Sequence, residues 1–423
     1  MRSIDIAGAY LKSEMKDSEV TVHMTIDADM TKLMCQLDPT YKDFLTNKGE
    51  VIVQVDRALY GICEAGLMWY KNISTTLLAI GYVQNEYDQC VFNKVDTEGI
   101  QISIGIHVDD LLITSESDAL HEELEAHLRK TYGAITVKEG PSIDYVGMTF
   151  DFSEPGKVKV TMSHCVQDIL STCGVSVSVT TPASKTLFES RDTVTKATEE
   201  ERKWFHTHTA KMLYLAKRVR PECLTAVSFL STRVSQCDTD DLKKLTRLLR
   251  YVRGTSERGI VLEVGDEIRV TIYIDAAYGV HLGSGKSHSG YAVFIGLGPL
   301  GVSSTKQRIV TKSSTESELV ALSDYASAGI HLKNFLLGQG YEVVPCEIMQ
   351  DNTSTMALIK RGGPGSSGSR HINIRYFWLR GKVEEGEIDI KHMPTAGMVA
   401  NILTKPVQGA QFAAERFMLT NWL

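Results

Sequence analysis

Long apolar runs are absent from this 423-residue chain. No window reaches the roughly 18 uninterrupted apolar residues that cross a bilayer. The opening MRSIDIAGAY also lacks the charged and apolar regions of a secretory leader. Cysteine is sparse: the eight present form no CxxC pair and no histidine-rich spacing. That argues against a disulfide framework or a zinc site and fits reduced thiols. An excess of positive charge is missing too, with a net charge of -7 and a pI near 6.0. A uniformly basic surface for nucleic acid is thereby excluded. The expectation is a soluble, cytoplasmic protein with no membrane partner.

What remains is ordinary globular material, 43% hydrophobic and 23% charged, in a length that suits two or three domains. The charge is unevenly spread. Residues 241–258, DLKKLTRLLRYVRGTSER, carry Lys243, Lys244, Arg247, Arg250, Arg253 and Arg258 on a helical pattern. Such a run is either a solvated helix face or a phosphate-tracking surface.

Residues 1–155 read as mixed α/β, with strand-like VIVQV (51–55) and ISIGIHV (102–108) alternating with helical stretches at 64–80 and 117–131. From about 156 to 260 the pattern is mainly helical, over 163–173, 199–219 and 240–253, with breaks at Pro182 and Arg220-Pro221. Beyond 268 come strands 269–275, 290–296 and 301–307, a helix at 315–338, strand 346–350 and helix 353–360. A glycine- and serine-rich loop (361–369), a helix (373–385), a strand (388–393) and a last helix (397–404) follow. That order resembles a ribonuclease H fold.

Paired acidic residues carry the sharpest chemical signal. In Ile106-His107-Val108-Asp109-Asp110-Leu111-Leu112-Ile113, two apolar runs flank two carboxylates at hairpin spacing. Adjacent carboxylates repel and bring no glycine to the turn, an objection that a hard divalent cation removes. Asp5 ends a short apolar run, where a helix N-cap is the plainer explanation. Asp275 ends the strand YIDAAY, Glu318 lies in SSTESEL, and Asp351 follows strand CEIMQ. A capping box from Thr315 to Glu318 and an N-cap at Asp351 are the plainer explanations there.

Taken in order, these segments resemble copia-type reverse transcriptases followed by a ribonuclease H domain. Asp5 matches the first aspartate of a DVKTAFL-like motif, and Asp109 with Asp110 matches a YVDD-like box. Arg57-Ala58-Leu59-Tyr60-Gly61 with Trp69-Tyr70 resembles KALYGL…AWY, and Tyr145-Val146-Gly147-Met148 resembles the primer-grip segment. Leu213-Tyr214-Leu215 with Arg220-Pro221, and Leu249-Arg250-Tyr251 with Arg253-Gly254-Thr255, resemble two further family segments. The resemblance runs from residue 3 to about 412.

It implies an α/β architecture: an α+β palm over 1–155, a helical thumb and connection over 156–265, a ribonuclease H-like mixed five-stranded sheet with helices over 266–410, and a tail over 411–423. It also implies RNA-directed DNA synthesis and hybrid cleavage by two-metal phosphoryl transfer, with two Mg²⁺ or Mn²⁺ ions per site about 3.5–4 Å apart. The implied metal ligands and catalytic groups are Asp5, Asp109 and Asp110 in one site, and Asp275, Glu318 and Asp351 in the other. Tyr10, His107, Gly147 and Met148 would contact nucleotide or primer. Partners would be RNA template, DNA primer, RNA–DNA hybrid and dNTPs, in the cytoplasm, in virus-like particles or in the nucleus.

Four departures stand out. Asn401 takes the place of the last aspartate in an ADILTK-like motif and is at most a weak metal ligand, since an amide brings no charge. His107 replaces a tyrosine, and Glu64 a glutamine. Family members also carry a long fingers segment before the first aspartate, so poor primer extension by the isolated chain is expected. The alternative function is a decayed retroelement remnant that at most binds nucleic acid.

Overall fold

Alternating apolar and polar residues build the central sheet of the first of two compact units in this computed structural model, Met1–Gly140 and Pro141–Leu423. The structure describes residues 1–15, 20–189, 194–265, 267–361 and 370–423. All but the first residue of the glycine- and serine-rich loop at 361–369 lies outside the described residues.

The first unit runs β1 (Arg2–Ile6), β2 (His23–Ile26), α1 (Ala28–Leu37), β3 (Val51–Gln54), α2 (Ala65–Ala79), β4 (Val83–Gln84), β5 (Val91–Val95), β6 (Gln101–His107), β7 (Asp110–Ser115), α3 (Asp118–Tyr132) and β8 (Ile135–Glu139). Six strands form a sheet in the order β4-β5-β6-β7-β1-β8, and β2 pairs with β3. Ile102, Ile104 and Ile106 of β6 and Leu111 and Ile113 of β7 are buried on one face. Residues Trp69, Ile73 and Leu77 of α2, and Leu120, Leu124 and Leu128 of α3, recur every fourth position and fill the same core. Each such side chain contributes about 2 kcal/mol on burial. The Ser117 side chain accepts from Leu120 N at 3.3 Å and fixes where α3 starts.

The second unit runs β9 (Ser142–Tyr145), β10 (Met148–Asp151), β11 (Lys157–Thr161), α4 (Ser163–Thr172), α5 (Glu199–Arg218), α6 (Leu224–Ser231), α7 (Thr239–Arg253), β12 (Ile260–Glu263), β13 (Thr271–His281), β14 (Lys286–Phe294), β15 (Gly301–Lys306), α8 (Ser314–Gly338), β16 (Cys346–Gln350), α9 (Thr353–Arg361), α10 (Arg370–Glu384), β17 (Ile388–His392) and α11 (Gly409–Thr420). The helical stretch expected over 156–260 is present, but β11 and β12 close it at its two ends and pair with each other. Capping boxes at Thr198/Glu201 and Asp238/Asp241 start α5 and α7.

Strands β13 to β17 form a mixed sheet in the order β15-β14-β13-β16-β17, antiparallel on the β14 side of β13 and parallel on the β16 side. Side chains from α8 and α10 bury one face around Ile272, Ile274 and Ile348. Gly329 permits close packing of α8, since a Cβ there would lie 2.4 Å from Cys346 Sγ. The other face joins Ala292 and Phe294 to the helical core of α4–α7. The helix expected at 397–404 is instead two short 3-10 turns, Thr395–Gly397 and Val399–Leu403. All five residues of the second are buried, so it lacks the exposed polar face that a surface α-helix presents. Among the described residues, no helix is long and apolar enough to cross a membrane.

Candidate functional site

Asp5 lies inside β1, opposite Asp110 of β7 in the antiparallel register. It caps nothing, because Gly8 takes the N-cap of the 3-10 turn that follows. His107 pairs with Asp110, so the turn residues between β6 and β7 are Val108 and Asp109. The hairpin tip therefore sits one position earlier than the spacing of the two carboxylates suggests. Asp109 stands in the turn, and Asp110 opens the next strand.

Val108 has φ of 57°, a left-handed conformation that a β-branched residue adopts at a cost of about 1–2 kcal/mol. Trp69 Nε1 donates to its carbonyl at 2.6 Å, and Ile6 N donates to Asp109 O at 3.2 Å. These bonds tie the strained turn to α2 and β1. Burial, then Asp109, then Asp5 push the Asp110 carboxyl above its usual range. Tyr60 OH donates to Asp109 Oδ2 at 3.0 Å, and its ring packs 4.3 Å from that of Tyr10. Burial first, then the Asp109 bond, raise the Tyr60 hydroxyl. Tyr10 thus joins the carboxylates through Tyr60, while His107 is exposed beside Asp110. Tyr60 was visible only as part of a motif; its contact with Asp109 is a tertiary fact.

Gly147 and Met148 belong to the second unit. Val146 (φ 50°) and Gly147 (φ 75°) form the two-residue turn between β9 and β10, both in the left-handed region of a type I′ hairpin. A Cβ on Gly147 would stand 3.1 Å from Tyr214 OH. On α7 the cations divide. Lys244 pairs with Asp240 at 3.0 Å, Arg247 donates to Thr181 Oγ1 at 2.7 Å, and Lys243, Arg250 and Arg253 stay exposed.

Asp275 of β13, Glu318 of α8 and Asp351 after β16 come together, with ligand oxygens all within 4.8 Å of one another. Among the described residues this is the one group of three or more such side chains so close; Asp5, Asp109 and Asp110 are more loosely grouped. The capping roles that could have explained these residues fall to their neighbours. Ser313 caps α8 by accepting from Glu316 N, and Asn352 Oδ1 accepts from Thr355 N at 3.0 Å at the start of α9. Glu318 and Asp351 are left for the cluster.

Asp275 and Glu318 are nearly inaccessible, at 1% and 5% exposure. Burial, then Asp275, then Asp351 hold the Glu318 carboxyl well above its usual range. Thr404 Oγ1 donates to Asp275 Oδ2, and Thr395 Oγ1 donates to Asp351 Oδ2 at 3.0 Å. Asn401 sits at the edge with its amide held at both ends: Nδ2 donates to Thr395 O at 3.0 Å, and Oδ1 accepts from Lys405 Nζ at 2.9 Å. Gly290, the cross-strand partner of Asp275, makes room for the 399–403 turn, since a Cβ would lie 2.7 Å from Leu403 Cβ. Three clustered carboxylates form a hard oxygen donor set of the kind that takes Mg²⁺ or Mn²⁺, and their mutual repulsion is what a cation relieves.

Residues 1–185 match the family described as reverse transcriptase (RNA-dependent DNA polymerase). The retrovirus-related Pol polyprotein from transposon RE1 of Arabidopsis thaliana is 27% identical over 97% of this chain and 27% of its own length. The corresponding polyprotein from transposon TNT 1-94 of Nicotiana tabacum is 24% identical over 87% of this chain and 28% of its own length. The chain therefore spans little more than a quarter of the length of these curated relatives. Among solved structures, LC11-RNase H1 from compost is 17% identical and covers 32% of this chain and 93% of its own, at a TM-score of 0.25. A likeness of that strength bears no weight on function.

Proposed function

We propose that this chain is a piece of a copia-type retrotransposon Pol polyprotein, like the relatives it resembles, and that it joins RNA-directed DNA polymerase chemistry to cleavage of RNA in RNA–DNA hybrids. By function, residues 1–155 serve as palm, 156–265 as thumb and connection, and 266–410 as the ribonuclease H part, with β9 and β10 counted with the palm. The observation that carries the nuclease half is the convergence of Asp275, Glu318 and Asp351 within 4.8 Å. The pairing of Asp5 with Asp110, beside Asp109, supports the polymerase half.

Each carboxylate set would hold a divalent cation, the family pattern being two ions per site. A bound Mg²⁺ or Mn²⁺ supplies positive charge to the phosphate and acidifies the attacking water or hydroxyl. The chain's own residues supply position. Thr404 orients Asp275, Thr395 orients Asp351, and burial within the unit holds Glu318, so little reorganisation is needed when hybrid binds. In the first unit, Tyr10 and Tyr60 wall the carboxylates with aromatic surface against which a nucleotide sugar can rest.

The second reading, a remnant that binds nucleic acid without cutting it, is favoured by one observation: the neutral Asn401 has both ends of its amide occupied. Hybrid cleavage by the full chain in Mg²⁺ and in Mn²⁺ separates the two. Asp275→Asn should lower cleavage about a hundredfold or more, and Asp109→Asn should leave it unchanged. No cleavage in either ion favours the remnant, and cleavage indifferent to Asp275→Asn overturns the site.

A further inference from the structure

Lys405 reaches the carboxylate cluster from its solvent side. Its Nζ lies 3.2 Å from Asp275 Oδ2, with 44% of the side chain exposed, and 2.9 Å from Asn401 Oδ1. The backbone sets this position. Asn401 O accepts from both Thr404 N at 3.0 Å and Lys405 N at 2.9 Å, which brings both side chains back onto Asp275. Asp275 thus takes the Thr404 hydroxyl on Oδ2 and the ammonium across both oxygens, with a hydrogen bond to Oδ1 at 3.4 Å, and the Asn401 amide oxygen already accepts from that ammonium.

We infer that Lys405 is a built-in counter-charge that restricts the Asp275, Glu318 and Asp351 cluster to one divalent cation. The inference rests on the reading of that cluster as a metal site. One divalent cation and one ammonium balance three carboxylates. A second divalent cation on Asp275 would have to displace Lys405 and then sit beside it, where like charges repel strongly in a partly buried site. Asn401 offers such a cation only a neutral oxygen. The ammonium is also placed to face a phosphate held at Asp275, as a point charge that needs no metal to reach it.

The experiment counts Mn²⁺ alone on the full chain by the electron paramagnetic resonance of the free ion. The share of the cluster is the difference between the chain and its Glu318→Gln variant. The expected difference is one ion. It should remain one in Asn401→Asp, because the new carboxylate pairs with Lys405, and in Lys405→Arg, which keeps the charge. It should become two in Asn401→Asp/Lys405→Met. Two ions in the unaltered chain or in Asn401→Asp, or one in a folded double variant, overturn the role of Lys405 and leave the metal site standing. No difference between the chain and Glu318→Gln overturns the metal site, and the lysine inference with it. Should the double variant fail to fold, the counts for the unaltered chain and for Asn401→Asp still decide.

Discussion

The indole nitrogen of Trp69 donates to the carbonyl of Val108 across 2.6 Å, pinning a β-branched residue at φ 57° immediately before the candidate catalytic carboxylates Asp109 and Asp110. The bond holds the turn in a conformation that Val108 alone would avoid. Trp69→Phe keeps the apolar contact and removes the donor, so the first unit should lose about 1–2 kcal/mol of stability. Adding Val108→Gly should recover part of that loss, since glycine accepts positive φ freely. Urea unfolding of the three proteins checks this. A double variant less stable than Trp69→Phe alone would show that Val108 is not strained.

A second prediction concerns Arg220 and Glu222, both fully buried. Arg220 Nε donates to Glu222 Oε1 at 2.8 Å, and its other nitrogens donate to Thr255 O at 2.9 Å and Thr255 Oγ1 at 2.5 Å. Tyr251 OH donates to the same Glu222 oxygen at 3.2 Å. Arg220→Ala strands a buried carboxylate and should cost about 3–5 kcal/mol. Arg220→Met/Glu222→Leu should cost much less. If the single and double variants unfold at the same urea concentration, the pair is not coupled.

That network shows what was legible in the sequence and what was not. Arg220-Pro221 and the Tyr251 to Thr255 segment stood out as family-like motifs, but their purpose did not, because they lie 35 residues apart and meet only in the fold. The order of strands and long helices was legible from period and breakers. The short strands β11 and β12 were not, since each gains its partner from the far end of a helical stretch. The acidic residues were legible as candidates, but local capping was the plainer explanation for Glu318 and Asp351 taken singly, and in the fold Ser313 and Asn352 take those roles. Lys405 was visible only as the last residue of the ADILTK-like segment, with no role attached to it. Its meaning comes from a turn of buried residues that seats it against Asp275.

A third prediction follows from His281 and His288. Their ring nitrogens lie 3.0 Å apart, and His288 Nε2 meets Ser304 Oγ at 2.7 Å. Burial lowers His281 to about 4, and burial with the neighbouring His281 lowers His288 to about 3. The unfolded chain takes up protons near pH 6.5 while the folded one refuses them. Stability is therefore complete above that pH and falls as the pH drops toward 4, by about 2 kcal/mol per histidine at pH 5. Urea midpoints at pH 7.5 and pH 5 should differ far less in His281→Asn/His288→Asn than in the unaltered chain. Equal pH dependence in both would contradict the assignment.

The central claim is that Asp275, Glu318 and Asp351 form a divalent-cation site on the mixed sheet of β13 to β17. Anomalous diffraction from crystals of the full chain grown with Mn²⁺ tests it most directly. The predicted result is a manganese peak bounded by oxygens of all three residues, and no peak there in the Glu318→Gln variant. A well-ordered cluster without manganese at saturating Mn²⁺ would contradict the account.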